Sequence, residues 1–333
     1  MEIKHSAHLP QGNSAHSYGR IGVLMGGPSS ERAISFKSGK AVLEALVSLG
    51  LEAVAIDIQT DSADQVMAQI KSENINAAFI ALHGRFGEDG QIQAILESLR
   101  IAYTGSGVKA SRLALDKIAS RALFAAGGIS TPQYRMVTKS SAAAYHELVR
   151  ALGLPLVVKP VTGGSSIGLS IVDDEARVPA ALAQAFGYDD TVVVEEYIKG
   201  RELTVGILDT SPLAVIEIIT KNRFFDYEAK YGAGKTEYIV PAFLEQQSAR
   251  ALQDAALSAH TLLGCAGCSR ADFILTPEGK HYILEVNAIP GFTATSLLPK
   301  AARVAGIEFP RLCLRLIELA YEKAQAESAH AQI

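Results

Sequence analysis

The chain has 333 residues, of which 48% are hydrophobic and 20% are charged, and its formal net charge is −4. This length favours two or three lobes over a single core, and the apolar share excludes a wholly disordered chain. The acidic balance offers no broad positive surface for nucleic acid, and no apolar stretch is long enough to span a bilayer or to serve as a signal peptide.

The N-terminus and the cysteines bear on where the protein works. Residues 1–18 contain no apolar run and are predicted to form a disordered or loosely attached extension. Cys265, Cys268 and Cys313 are too few for a disulfide framework, which predicts a reducing compartment and a cytoplasmic protein. Cys265 and Cys268 also have the spacing of a metal or redox pair, but no second ligand pair accompanies them, so we interpret both as core packing.

The first third of the chain alternates apolar strands with helices. Strands are predicted at residues 20–25, 53–58 and 77–82, and helices after Ser30-Glu31 and at 63–70 and 92–99. Such alternation predicts an α/β fold with a parallel sheet covered on both faces, whose ligands bind at the carboxyl ends of the strands. Gly26-Gly27 and His83-Gly84 fall at those ends.

The pattern changes after residue 105. Helical stretches at 108–115 and 117–126, followed by short strands at 134–137, 156–159 and 167–172, indicate a second lobe. Strands at 192–197 and 202–208, a helix at 245–263 and two strands near 269–288 lead into a third. The predicted domains are therefore residues 19–105, 106–200 and 201–325.

A glycine-rich segment follows the strand that ends at Lys159. The backbone amides and hydroxyls of residues 163–168 (GGSSIG) suit phosphate oxygens, and the lysine adds a positive charge; a plain β-hairpin turn is the alternative. Residues 232–236 look like the end of a P-loop, but Ala229 stands where that motif needs glycine and no apolar strand precedes it. We interpret this second segment as a mobile loop.

Polar side chains recur at alternate positions of the last two predicted strands. Arg270 and Asp272 share one face of the first strand, and Glu285 and Asn287 share a face of the next. If residues 277–280 form a four-residue hairpin loop, Asp272 pairs with Glu285 and Arg270 with Asn287 on the same face. Two carboxylates and an amide oxygen suit Mg²⁺ or Mn²⁺, with two ions expected; an ion-pair network with Arg270 is the alternative.

Together these segments resemble the D-alanine:D-alanine ligase family of the ATP-grasp superfamily, over about residues 20–319. Residues 83–94 (HGRFGEDGQIQA) fit the family's first signature at every defined position. Residues 269–272 and 284–287, with Pro290-Gly291, resemble the second signature, and residues 28–32 and 228–231 match further family segments.

The resemblance implies a parallel-sheet domain that binds substrate, followed by two lobes that grip ATP. It implies that two D-alanine molecules are joined through an acyl phosphate into a dipeptide for peptidoglycan precursors, and that the protein forms a homodimer. It assigns phosphate contacts to Lys117, Lys159 and Lys230, and adenosine contacts to Glu195, Glu196, Tyr197, Ile198 and Glu202.

The resemblance also implies the substrate and metal residues. Glu31 and His83 are expected at the first D-alanine, Ser296 and Leu297 at the second, and Asp272, Glu285 and Asn287 around the metal ions. Ser165 and Tyr231 are expected to join Glu31 in a hydrogen-bonded set that closes the site. Arg270 is expected to stabilise the charge on the acyl phosphate and the tetrahedral intermediate, and residues 227–236 to form a lid.

Departures from the family pattern bear on metal binding and on flexibility. Ala288 stands where the family usually has Thr or Ser, so weaker support of Asn287 and a lower metal affinity are expected. Gly163 and residues 232–234 are expected to make two loops more flexible than is usual in the family. One alternative is a ligase that uses D-lactate or D-serine as second substrate. Tyr231 favours an amine, because lactate-using members of the family have Phe at this position. Another is a regulatory protein that binds ATP without catalysis, against which the intact Arg270 and metal residues count.

Overall fold

The structure is a computed structural model that describes residues 18–162, 167–220 and 236–330. Within these ranges the strands form three sheets, of which the first is parallel and the other two are antiparallel. No helix of the described ranges has the length and apolar character needed to cross a membrane. The α/β fold class predicted from the sequence is confirmed.

Residues 21–103 form the first sheet and its helices, namely β1 (Ile21–Gly26), α1 (Arg32–Ser48), β2 (Ala53–Ile58), α2 (Ala63–Ser72), β3 (Ala77–Ile80), α3 (Gln91–Ser98) and β4 (Ala102–Tyr103). The strand order is β2-β1-β3-β4, and all neighbours are parallel. Alternate residues of β1 face opposite sides, so Val23 packs with α1 while Leu24 packs with α2 and α3. The predicted sheet with both faces covered is confirmed.

Residues 108–196 form the second sheet and its helices, namely α4 (Val108–Leu115), α5 (Lys117–Ala126), β5 (Tyr134–Thr138), α6 (Tyr145–Leu152), β6 (Leu156–Pro160), β7 (Ser170–Val172), α7 (Val178–Ala185) and β8 (Thr191–Glu196). The strand order is β5-β8-β6-β7. Asp116 separates α4 from α5, because its side chain accepts hydrogen bonds from two backbone N–H groups at the start of α5. The sequence analysis predicts neither α6 nor α7.

Residues 201–287 form the third sheet and a covering helix, namely β9 (Arg201–Leu208), β10 (Ser211–Thr220), β11 (Thr236–Ile239), α8 (Gln246–Leu263), β12 (Cys268–Leu275) and β13 (His281–Asn287). The strand order is β11-β10-β9-β12-β13. The long predicted helix is confirmed as α8, which packs Leu252 and Ala256 against Val205 and Phe273 of the sheet. This packing buries one face of the sheet and leaves the polar positions of β12 and β13 on the other.

The last two helices, α9 (Leu297–Val304) and α10 (Phe309–His330), bring the end of the chain back to the first sheet. Leu312 and Cys313 of α10 share a buried cluster with Val23 of β1. Tyr18 is also buried there, with its ring 6.0 Å from that of Tyr321, whose hydroxyl donates to the Tyr18 carbonyl at 2.6 Å. This contact corrects the assignment of Tyr18 to a loose extension, whereas the division into domains stays a prediction.

The hairpin of β12 and β13 carries the predicted polar face. Asp272 lies opposite Glu285, and Arg270 lies opposite Asn287, so both predicted pairings are confirmed. The predicted four-residue loop is wrong, because Leu275 already pairs with His281 and the loop between them is one residue longer. A β-bulge at Leu284 takes up the difference and keeps Glu285, rather than Leu284, opposite Asp272.

Candidate active site

A cavity of about 380 Å³ lies between the first sheet, the α4–α5 junction and the third sheet. Its wall is drawn from α1, the loop after β3, strands β11 to β13 and the segment between β13 and α9. Such a concave site with converging polar groups is the usual form of an active site. The predicted site residues that line it are Glu31, His83, Lys117, Arg270, Glu285, Asn287, Ser296 and Leu297.

The first wall depends on a close approach between two loops. Glu31 is buried directly before α1, and the Ser29 hydroxyl ties it to the loop after β3. That hydroxyl accepts from the Glu31 N–H at 3.2 Å and donates to the His83 carbonyl at 2.6 Å. Gly84 has φ +73°, and a Cβ at this position would lie 2.8 Å from Oε2 of Glu31. Glycine is therefore required here for both its backbone angle and its size.

His83 is buried between two polar side chains. Its Nε2 lies 3.0 Å from Oγ of Ser38 on α1, and its Nδ1 lies 3.6 Å from Oε1 of Glu88. Ser38 and Glu88 also line the cavity. Both ring nitrogens therefore have protein partners, and the ring is held in a fixed orientation at the cavity wall.

The third sheet carries a charged cluster, of which Arg270, Glu285 and Asn287 line the opposite wall. Arg270 donates from Nε and Nη2 to the two carboxylate oxygens of Asp272, at 2.9 and 2.8 Å. Thr204 of β9 donates its hydroxyl to Oδ1 of the same carboxylate at 2.6 Å. Oε2 of Glu285 lies 3.8 Å from Nζ of Lys117, which is buried. Both arrangements considered from the sequence thus occur together. Arg270 forms an ion pair with Asp272, and the carboxylates of Asp272 and Glu285 are paired across the strands.

The donor set of this wall fits a divalent cation held jointly with a nucleotide. Carboxylate oxygens of Asp272 and Glu285, with the amide oxygen of Asn287, are the hard ligands that Mg²⁺ and Mn²⁺ prefer. The described ranges contain no group of three or more His, Cys, Asp or Glu side chains placed to hold a metal ion. Since Mg²⁺ is usually bound by one or two carboxylates together with substrate phosphates, two carboxylates are enough for such a site.

Lys159 lies at the end of β6 within a buried network of charges. Its Nζ is 2.8 Å from Oε1 of Glu195, whose other oxygen pairs with the fully buried Arg121. Burial lowers the pKa of Lys159 to about 8; Glu195 and Glu285 act to raise it, and Arg121 and Lys117 to lower it further. Burial alone would raise the pKa of Glu195, but Lys159 and Arg121 outweigh it and hold that pKa below its usual value.

The mutual influence of Lys159, Lys117 and Glu285 indicates that these three groups share one electrostatic region. A polyphosphate placed there would meet two buried ammonium groups. The described contacts of the Glu195 carboxylate are with Lys159 and Arg121, so its adenosine contact stays a prediction. In this position Glu195 balances and orients the lysine.

The remaining predicted adenosine residues follow β8. This strand ends at Glu196, one residue before the predicted end, and Tyr197 and Ile198 lie in the connection to β9. Oε1 of Glu196 accepts a hydrogen bond from the backbone N–H of Gln133 at 2.8 Å. In the part of the chain that the structure describes, Glu196, Tyr197, Ile198 and Glu202 do not line the 380 Å³ cavity. Their roles stay predictions for a neighbouring nucleotide site.

Three predicted residues lie outside the described ranges. They are Ser165 of the first glycine-rich segment, and Lys230 and Tyr231 of the predicted lid. Residues 232–235 of the segment interpreted as a mobile loop fall in the same gap. Their roles stay predictions.

The sequence analysis misses several residues that the structure joins to the site, among them Thr204 and Arg121. Thr204 follows Glu202 by two positions on β9, so strand alternation places it on the polar face. Arg121 follows Lys117 by four positions on α5, so helical spacing places both on one side. The spacing of both residues was visible in the sequence, but a threonine or an arginine does not by itself indicate which residue of another element it contacts.

The cysteines lie in or against the core. Cys268 and Cys313 are buried, and Cys265 packs partly buried beside α8. Burial raises the pKa of Cys265 to about 11 and that of Cys268 to about 12, so both thiols stay protonated at neutral pH. Their positions agree with the packing interpretation.

Two family models match the chain. One, described as D-ala D-ala ligase C-terminus, matches residues 123–318, and the other, D-ala D-ala ligase N-terminus, matches residues 59–106. A relative named D-alanine–D-alanine ligase from Geotalea uraniireducens is 49% identical over 301 residues, which cover 90% of this chain and 95% of the relative. One of the same name from Pelotomaculum thermopropionicum is 48% identical over 312 residues, covering 91% and 97%.

Solved structures show the same similarity. A crystal structure of D-alanine–D-alanine ligase from Bacillus anthracis complexed with ATP aligns with a TM-score of 0.81 at 35% identity, covering 93% of this chain and 99% of that one. The D-alanine–D-alanine ligase from Coxiella burnetii aligns with a TM-score of 0.80 at 27% identity, covering 94% and 98%. The alignments therefore include all three sheets.

Proposed function

The chain belongs to the D-alanine–D-alanine ligase family, and from this premise we propose that its cavity is where two molecules of D-alanine are joined in a reaction driven by ATP. It is an ATP-dependent ligase with the ATP-grasp fold of that family. The products are D-alanyl-D-alanine, ADP and phosphate, and the dipeptide serves peptidoglycan precursor synthesis.

The reaction needs two steps because a carboxylate oxygen is a poor leaving group. In the first step, a carboxylate oxygen of one D-alanine bonds to the γ-phosphorus of ATP and ADP leaves. In the second step, the amine nitrogen of the other D-alanine bonds to the carbonyl carbon of the acyl phosphate. Phosphate then leaves with the electron pair of the broken carbon–oxygen bond, and the amine loses its proton.

Side chains on opposite walls of the cavity suit these steps. Glu31 presents a carboxylate to the ammonium of the first D-alanine. Arg270 holds a guanidinium, fixed by Asp272, where negative charge grows on the acyl phosphate and on the tetrahedral intermediate. Ser296 is the N-cap residue of α9, and a helix N-terminus attracts a carboxylate such as that of the second D-alanine. Leu297 packs beside it.

The nucleotide is assigned to the region beside this cavity. Lys117 and Lys159 contact its phosphates, and the segment from Glu196 to Glu202 holds adenosine. Asp272, Glu285 and Asn287 are the residues that would hold two Mg²⁺ or Mn²⁺ ions. Bound metal would neutralise the charge of the phosphate oxygens. Ser165, Lys230 and Tyr231 complete the assignment by family resemblance.

A single observation supports the proposal most: Glu31, Arg270 and Ser296 come from distant parts of the chain yet line one cavity. The test is release of phosphate from ATP in the presence of D-alanine, L-alanine or D-lactate, with the product identified by mass spectrometry. We expect D-alanyl-D-alanine from D-alanine and no turnover with L-alanine. Turnover with D-lactate but none with D-alanine would contradict the choice of substrate.

Ser296→Ala tests the second D-alanine subsite. Loss of a hydroxyl that bonds a carboxylate is expected to raise the KM for D-alanine roughly tenfold to a hundredfold, since a hydrogen bond to a charged group contributes about 1.5–3 kcal/mol. ATP affinity, measured by calorimetry, is expected to stay near the wild-type value. Ser62→Ala is the matched control, because Ser62 is the N-cap residue of α2, away from the cavity. Equal losses in D-alanine and ATP binding would contradict the assigned role.

The pKa of Lys159 predicts how ATP binding depends on pH. The ammonium is the phosphate-binding form, and its pKa of about 8 means that it is charged at pH 7 and neutral at pH 9. The Kd for ATP is therefore expected to rise as pH rises through about 8, by up to roughly tenfold per pH unit. Calorimetry without D-alanine measures this directly. Lys159→Arg keeps its charge throughout and should abolish the dependence; an equal slope in both proteins would count against Lys159.

A homodimer and a cytoplasmic location also belong to the proposal. The dimer is implied by the family resemblance. The cytoplasm is supported by three free cysteines and by the need for ATP.

A further inference from the structure

Ser38 of α1 lies in the wall of the cavity, although no sequence signal identifies it. Its side chain is buried, with 1% of the residue exposed. Its Oγ lies 3.0 Å from Nε2 of His83, and the backbone N–H of Phe292 donates to the same Oγ at 3.3 Å. One hydroxyl thus joins α1, the loop after β3 and the segment between β13 and α9.

The hydrogen-bond partners define where the protons lie. The Phe292 N–H is a donor, so Ser38 accepts there. The hydroxyl hydrogen of Ser38 needs an acceptor, and among the bonds of the described ranges that acceptor is Nε2 of His83. With Nε2 as the acceptor, the ring hydrogen of His83 lies on Nδ1, toward Oε1 of Glu88 at 3.6 Å. The same Glu88 oxygen accepts the Gly84 N–H at 3.2 Å.

The order carboxylate, imidazole, hydroxyl is also that of a hydrolytic triad, but Ser38 is not placed to act as a nucleophile. Its oxygen is buried within α1 and accepts the Phe292 N–H. A triad serine needs an exposed oxygen beside an oxyanion-binding site. The set is instead a chain of polar contacts that runs from Glu88, 3.6 Å from His83, through the hydrogen bonds of Ser38 to the backbone of Phe292.

This chain ends next to the residue assigned to the second substrate. Phe292 precedes Thr293, whose N–H donates to Oγ of Ser296 at 3.1 Å and whose hydroxyl lies 2.8 Å from that oxygen. Ser38, in the middle of this chain, sits on the helix that begins directly after Glu31. The spacing between Glu31 and Ser296 therefore depends on the contact between Ser38 and Phe292.

We propose that Ser38 is a positioning residue for the second D-alanine subsite, acting through His83 and Phe292; this inference rests on the proposed function. Its hydroxyl holds the segment that carries Ser296 at a fixed distance from the first D-alanine. It contacts neither the nucleotide residues nor Arg270 in the described structure. A change at Ser38 should therefore affect the use of D-alanine and leave ATP binding intact.

Ser35 provides a matched control on the same helix. It is as buried as Ser38, lies about one turn earlier, and donates its hydroxyl to the Ala81 carbonyl at 2.7 Å. Ser38→Ala is expected to raise the KM for D-alanine roughly tenfold to a hundredfold, with a smaller change in kcat. The reason is that a small displacement of the groups that position a substrate has a large effect. Ser35→Ala should leave this KM near the wild-type value, and the Kd for ATP should be unchanged in both variants.

The histidine tautomer gives a readout on the wild-type enzyme that is independent of the Ser38 and Ser35 variants. In ¹⁵N spectra of the wild-type enzyme labelled at histidine, the signal that is lost in His83→Gln is expected to show a hydrogen on Nδ1 and none on Nε2. A hydrogen on Nε2, or equal D-alanine KM values in Ser38→Ala and Ser35→Ala, would overturn the inference alone. A wild-type protein that forms no D-alanyl-D-alanine would overturn the proposed function and the inference with it.

Discussion

Replacing Arg270 with lysine is expected to lower kcat by roughly a hundredfold to a thousandfold, the typical effect of losing one group that stabilises an oxyanion. Lysine keeps the positive charge but not the planar fork through which Arg270 holds both oxygens of Asp272. In the proposed mechanism, the charge then becomes mobile at the point where the acyl phosphate and the tetrahedral intermediate need it fixed. The measurement is phosphate release at saturating ATP and D-alanine.

Arg201→Lys is the matched control for this substitution. Arg201 also lies on the third sheet and holds Glu217 by the same fork, through Nε at 2.7 Å and Nη2 at 2.6 Å. This pair is partly exposed and does not line the described cavity. Arg201→Lys is expected to leave kcat near the wild-type value, because the pair lies away from the cavity and exposed ion pairs contribute little to stability. If the two variants retained equal kcat values, Arg270 would have no part in the chemistry.

Glu195→Gln is expected to lower the free energy of unfolding by about 3–5 kcal/mol, because removing one partner of a buried ion pair leaves uncompensated charge in the interior. Here two cations lose their counter-ion together, since Glu195 pairs with both Lys159 and Arg121. The pKa of Lys159 should fall further as well, because Glu195 acts to raise it. Urea denaturation measures the first effect, and the pH dependence of ATP binding measures the second.

The neighbouring Glu196 supplies a control with the same change of side chain. Glu196 is only half-buried, and its described contact is the N–H of Gln133, which a glutamine oxygen can also accept. Glu196→Gln should therefore be much less destabilising. Arg121→Met combined with Glu195→Gln should be more stable than Glu195→Gln alone, because one buried cation is removed. Equal stability of Glu195→Gln and Glu196→Gln would show that the buried network contributes nothing.

Local spacing predicted the parts of the site that lie close together in sequence. Alternation along two strands was enough to place Asp272 opposite Glu285, and the alternation of strands and helices placed His83-Gly84 just after the end of a strand of the first sheet. The pairing was right although the loop was longer than predicted. The bulge at Leu284 made up the difference, and no local preference of leucine indicates a bulge.

Contacts between distant segments could not be predicted in this way. Glu195 resembled a nucleotide contact at the end of an apolar strand, whereas its carboxylate pairs with cations from α5 and β6. Ser38 is one of several small residues along α1, and only the packing of α1 against two loops gives its hydroxyl a partner. Such partners depend on tertiary packing, which the spacing of residues within one element does not determine.

The docking of α10 on the first sheet has a consequence for synthesis on the ribosome. The face of β1 that carries Val23 is buried partly by Leu312 and Cys313, which follow all three sheets in the chain. A nascent chain that has emerged only as far as the third sheet therefore still exposes apolar surface on β1. The first sheet is covered only after α10 has been made, so truncation before α10 should destabilise the first sheet.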